Sequence, residues 1–194
     1  MTDTREQLST TSVGLHWVIG LTMIGMVLFG LYLGGLECGD GDAVCKASKG
    51  NFTGLHKSIG VLVLVVASWR LVRRFSIGML QPVGDYASWE RILSKVTALF
   101  LLFTTLALPL SGIVMTIFAA KPIVVFGVTI IPQLLAERDK VLGGFAHKTH
   151  EILGWMLLGA VSLHIAGALK HHVIDRDGTL KRMLGSRVDP VTRA

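Results

Sequence analysis

Seven histidines, His16, His56, His147, His150, His164, His171 and His172, are the residues of this 194-residue chain best suited to chemistry. They lie in or beside long apolar runs, where an ionisable side chain is expensive and marks a functional site by default. A single such histidine could pack by hydrogen bonding or relay a proton; neutral imidazole is also a common axial ligand for haem iron. Spacing favours the last reading. Between His150 and His164 a helix turns through about 1400°, about 40° short of four full turns, and rises about 21 Å. The two share one helix face and stand near opposite surfaces of a bilayer. His16 begins one apolar run and His56 begins the next from the other side, so depth pairs His16 with His164 and His56 with His150. Two bis-histidine sites follow, each fit to hold one haem.

A second regularity concerns the residue one turn on. Gly20, Gly60 and Gly154 follow His16, His56 and His150 by four residues, and Ala168 follows His164. Residues i and i+4 stack on one helix face, so a small side chain there leaves room for a flat macrocycle. The same positions after His147, His171 and His172 hold Glu151, Asp175 and Arg176. His147 shares part of the His150 face and is its rival. His171 and His172 close their apolar run beside Lys170, where cations suit a helix C-terminus, and read as interfacial, with proton or quinone handling as the alternative.

These residues need long helices to hold them. Hydrophobic side chains make up 51% of the chain and charged ones 16%, against about 25% charged in a soluble domain. With mean hydropathy of +0.59, the composition fits membrane spans and leaves no length for a sizeable soluble domain. A membrane-length window finds four, at 13–36, 52–72, 92–120 and 145–169. The expected fold is all-α: an integral membrane four-helix bundle at 13–172, between a segment at 1–12 and a basic tail at 173–194. The first run is too long for a signal-peptide core and lacks a cleavage pattern after it, so it reads as retained.

Lys and Arg set the orientation. Twelve fall on the side of the termini: Arg5, Arg70, Arg73, Arg74, Arg91, Lys95, Lys170, Arg176, Lys181, Arg182, Arg187 and Arg193. Seven fall on the other: Lys46, Lys49, Lys57, Lys121, Arg138, Lys140 and Lys148. Both termini are therefore expected in the cytoplasm. The loop holding Cys38 and Cys45 then lies outside, where the two could oxidise to close a small ring; free thiols in a Gly/Asp loop are the alternative. The 121–144 connection, with Pro122, Pro132 and Val-Phe-Gly at 125–127, suggests a structured excursion on that surface. The net charge of +6 belongs with interface anchoring, since no basic patch is interleaved with exposed aromatics as nucleic acid binding would need. Arg70 and Arg73 on one side, and Lys57 and Lys148 on the other, are candidates for haem propionates, or else snorkelling anchors. Trp17 and Trp69 read as interface-belt residues.

Gly-Leu-His-Trp at 14–17, Leu-His-Lys-Ser-Ile-Gly at 55–60, Lys-Pro-Ile-x-Val-Phe-Gly at 121–127 and Ala-Leu-Lys-His-His-x-Ile-Asp-x-Asp at 168–177, followed by Thr-Leu-Lys-Arg-Met, resemble the bacterial cytochrome b-561 family over about residues 10–185. The resemblance implies a four-helix protein of the bacterial inner membrane with two b-type haems. It implies His16, His56, His150 and His164 as ligands, the same four that spacing selects. Relatives commonly carry a histidine on the third helix; this chain has none between His56 and His147. The eukaryotic ascorbate-linked proteins that share the name use six helices and are not its equivalent. Some bacterial relatives oxidise superoxide and reduce ubiquinone, which makes a superoxide:quinone oxidoreductase the first expectation. An electron-carrier subunit serving a dehydrogenase, hydrogenase or quinol partner is the second, and a non-redox membrane protein whose histidines pack or bind metal is the third.

Overall fold

The computed structural model describes residues 3–78 and 80–189. Arg193, counted above on the side of the termini, and the end of the basic tail lie outside them. The described residues are mostly helical: α1 (Thr10–Gly35), α2 (Ala43–Ile77), α3 (Ser88–Phe118), α4 (Lys140–Val173) and a short α5 (Thr179–Met183), with strands β1 (Ile123–Val125) and β2 (Val128–Ile131) between α3 and α4. The first four are long and apolar enough to cross a membrane. They form a four-helix bundle, in which α1 packs on α2, α2 on α3, α3 on α4, and α4 back on α1.

Side-chain caps start three of the four. Ser9 accepts from the Ser12 N–H, Asp42 from Cys45, and Asp139 from both Val141 and Leu142, each satisfying amides that a helix start leaves unpaired. The Asp42 cap corrects the sequence expectation for the second span. Residues 43–51, read as loop, are the first turns of α2, which runs 35 residues instead of the 21 apolar ones. At 1.5 Å per residue α2 is about 52 Å long against a hydrocarbon core of about 30 Å, so its polar first turns extend beyond the lipid. A hydropathy window registers only the middle. The same holds for α4, which begins at Lys140 and ends at Val173. Cys38 and Cys45 are disulfide-bonded, tying the end of α1 to the first turn of α2.

Ile19, Met23, Val63, Ala67, Leu108 and Leu157, drawn from all four long helices, make the buried core. Most other large apolar side chains on these helices face outward, among them Leu21, Leu62, Phe103 and Leu163. In water such a surface would aggregate; in lipid it is the solvated face. The 121–144 connection is an antiparallel hairpin, with Val125 opposite Val128. Phe126 and Gly127 both have positive φ, 46° and 86°, the backbone of a two-residue turn that matches strand twist. Phe126 is held in this uncommon conformation by its N–H, which donates to Ser58 Oγ on α2 at 3.0 Å.

The basic segment after α4 is packed instead of trailing. The buried Arg182 donates to the carbonyls of Arg5 and Gln81, both at 2.9 Å, Trp17 Nε1 donates to Met183 O at 2.8 Å, and the Val188 N–H donates to Glu6 O. Trp17 thus fastens α1 to the chain end in addition to any place at the interface.

Candidate functional site

His16 on α1 and His164 on α4 face each other at the end of the bundle that holds the termini, with ring centres 6.0 Å apart and planes at 61°. His56 on α2 and His150 on α4 do so at the hairpin end, 6.3 Å apart and at 76°. Leu157, seven residues from each α4 histidine and 2% exposed, seals the core between the pairs. His147 points to the exposed surface, whereas His150 is partly buried and faces His56. His172 is exposed as well. His171 instead joins a polar cluster at the end of α4, with Nδ1 2.7 Å from Asp175 Oδ2 and its ring 4.3 Å from that of Tyr86.

The separations have a chemical meaning. An imidazole nitrogen sits about 2 Å from a bound first-row metal and about 1.1 Å from its own ring centre, so two rings on one metal put their centres about 6.2 Å apart. Among the described residues no group of three or more His, Cys, Asp or Glu side chains gathers as a protein-built metal cage would need. Two facing imidazoles suit a metal that brings its remaining ligands with it, as haem iron does. His56 Nδ1 is buried without a hydrogen-bond partner. An orphaned buried polar atom costs about 1–3 kcal/mol, which fits a ring oriented for a bound group and not for the fold alone.

Glycines give the rings room. A Cβ on Gly30 of α1 would stand 3.4 Å from His56 Cε1, and one on Gly112 of α3 would stand 3.4 Å from His150 Cε1. These two back the imidazoles, a role the i+4 spacing does not reveal because they lie on other helices. Gly20 and Gly154, expected to leave space, meet nothing within 4 Å, and a Cβ on Gly60 would meet only Met26 Cε at 3.9 Å. Ser111 is a further residue that sequence reasoning passed over: its Oγ lies 2.8 Å from His150 Nδ1.

The four basic candidates separate. Arg70 lies within electrostatic range of both His16 and His164. Arg73, in contrast, donates to Ser9 Oγ and Ser12 Oγ at the start of α1. At the hairpin end Lys57 neighbours His56 and Lys121. Lys148 is exposed and ion-paired with Glu151 at 2.9 Å.

The prokaryotic cytochrome b561 family matches the chain over residues 7–186. The chain belongs to that family. It is 34% identical over 184 residues to "Cytochrome b561 homolog 2" of Escherichia coli (strain K12), covering 95% of this chain and 94% of that protein. It is 27% identical over 192 residues to "Cytochrome b561 homolog 1" of the same organism, covering 94% and 99%. As a cytochrome b561 it is a multi-pass bacterial membrane protein that transfers electrons through haem b.

Proposed function

We propose that this cytochrome b561 holds two b-type haems, takes electrons from superoxide at its hairpin end and passes them to ubiquinone in the inner membrane. The observation that carries the reading is the pair of facing histidine sets, 6.0 and 6.3 Å between ring centres, at opposite ends of one bundle. When bound, haem supplies an iron that gains and loses one electron at a time. His16 with His164, and His56 with His150, would hold it through imidazole nitrogens. Arg70 balances carboxylate charge at one end and Lys57 at the other. Arg73 and Lys148, already engaged elsewhere, have the weaker claim. Ile19, Leu108 and Leu157 exclude water from the middle of the bundle, so electrons cross there and protons do not.

The termini lie in the cytoplasm by the Lys/Arg asymmetry. The Cys38–Cys45 disulfide supports the same orientation, since that loop then faces the oxidising side. Lys57 and Lys121 raise the encounter rate of a small anion at that face. The electrons balance: two superoxide anions leave as two dioxygen molecules and yield two electrons, and one ubiquinone takes both with two protons to give ubiquinol.

Purified protein should carry two haem b per chain, and stopped-flow mixing with superoxide should reduce the hairpin-end haem first. Adding a ubiquinone analogue should then reoxidise both. Absence of reduction by superoxide, with rapid reduction by a quinol or a dehydrogenase, would replace this reading by that of an electron-carrier subunit.

A further inference from the structure

The geometry points to Ser111 on α3 as the residue that fixes the tautomer and orientation of His150, and through them the redox potential at the hairpin end. The inference rests on His150 being a haem ligand, as proposed above. Ser111 Oγ lies 2.8 Å from the Leu108 carbonyl and 2.8 Å from His150 Nδ1. A hydroxyl has one hydrogen and two lone pairs, and a carbonyl only accepts. The Ser111 hydrogen therefore goes to Leu108, and its oxygen is left to accept from the imidazole. With Ser111 Oγ as acceptor, the proton sits on His150 Nδ1 and the lone pair on Nε2, the nitrogen left for iron.

Gly112 completes the seat. With a Cβ there only 3.4 Å from His150 Cε1 and 3.7 Å from Nδ1, a larger side chain would push the ring away from Ser111. The helix that contributes no histidine therefore governs the one it packs against. His56, across the same site, has a buried Nδ1 with no partner, so the two facing rings are unequal: one is anchored from behind and the other is not.

An imidazole N–H donating to an oxygen makes the ring a stronger donor to its metal, and such outer partners are commonly worth about 10–100-fold. The stronger donor favours oxidised iron. Ser111→Ala should keep both haems but weaken that preference about tenfold, raising the hairpin-end potential by about 59 mV for one electron. The g values of that low-spin ferric haem should shift as its ligand plane turns. Ser111→Thr, which keeps the hydroxyl, should restore both, and the other haem should not respond to either change. Potentials and EPR spectra in Ser111→Ala identical to those of the unaltered protein would overturn the proposal. If the Ala variant does not accumulate, Ser111→Cys, with a weaker acceptor of similar size, is read by the same criteria. His150→Ala, measured alongside, separates the two levels. Retention of both haems there removes the ligand assignment, whereas loss of one with a silent Ser111→Ala removes only the role of Ser111.

Discussion

The end of the bundle with the His16–His164 pair carries a dense polar network, while the end with the His56–His150 pair carries a short hairpin and a disulfide loop. Asp3, Ser9, Ser12, Arg73 and Arg74 bind one another at the start of α1. Tyr86 donates to Asp177 at 2.6 Å, Lys170 bridges Glu90 and Asp175, and Arg182 is buried among carbonyls. At the opposite end the chain connection is light, with the Phe126–Ser58 bond tying the hairpin to α2. The two histidine pairs therefore stand in two different settings. One is bordered by side-chain ion pairs and hydrogen bonds between chain segments far apart in sequence, and the other has Lys57 near both His56 and Lys121.

The largest effect should come from the four facing histidines. His56→Ala or His150→Ala should lower haem content from two per chain to one while sparing the spectrum of the terminal-end haem, and His16→Ala or His164→Ala should do the reverse. His147→Ala should leave both, because that side chain is exposed. Loss of both haems from any single replacement would show that the two ends are not independent.

Next come the glycines. Gly112→Leu and Gly30→Leu would press on His150 and His56 and should reduce occupancy at the hairpin end, with overpacking of about 1–3 kcal/mol. Gly154→Leu sharpens the comparison, since it meets no protein atom within 4 Å of its Cβ. Folded protein that has lost one haem would mark that space as the macrocycle's, whereas full occupancy would return Gly154 to helix packing. Gly35→Leu, at the end of α1 with nothing nearby, should be silent.

Lys57→Glu should slow reduction by superoxide severalfold, and the rate in the unaltered protein should fall as ionic strength rises. Lys148→Glu should matter less, because its charge is already offset by Glu151. A rate indifferent to salt and to both changes would remove electrostatic steering by Lys57 and Lys148.

The bundle and the histidine pairing were legible because both depend on local periodicity. Four apolar runs specify four spans, and fourteen residues on one helix place His150 and His164 whatever surrounds them. Element ends were less legible: the start of α2 depends on Asp42 capping a polar turn that no hydropathy window marks. Ser111, Gly30 and Gly112 could not be found at all, since which residue of α1 or α3 meets a histidine of another helix is set by interhelical packing. The packed chain end escaped for a similar reason. A basic stretch resembles a tail until Arg182 reaches the Arg5 and Gln81 carbonyls, which are 177 and 101 residues away in sequence.

The smallest expected effect tests whether the polar network at one end is a structural clasp without redox influence on the hairpin end. Asp3 accepts from the Ser9 N–H and hydroxyl, the Ser12 hydroxyl and Arg74 Nη1. Burial works against its charge, but those donors outweigh it and bring the carboxyl from an ordinary 3.8 down to about 2. Because the folded value is the lower one, the stabilisation is complete above about pH 4 and fades as pH falls toward 2. Asp3→Asn keeps the shape but removes the charge at every pH, and hydrogen bonds to a charged group are worth about 1.5–3 kcal/mol. For a chain of this size each kcal/mol is about 2–4 °C in Tm. Thermal unfolding in detergent at pH 7 should therefore show a loss of a few degrees in Asp3→Asn, with cleavage by trypsin after Arg5 becoming faster. The gap between variant and unaltered protein should close as pH is lowered through 3, and both haem potentials should stay in place. A shifted potential at the hairpin end would mean that the clasp communicates along the bundle, and the two ends would have to be treated as one unit.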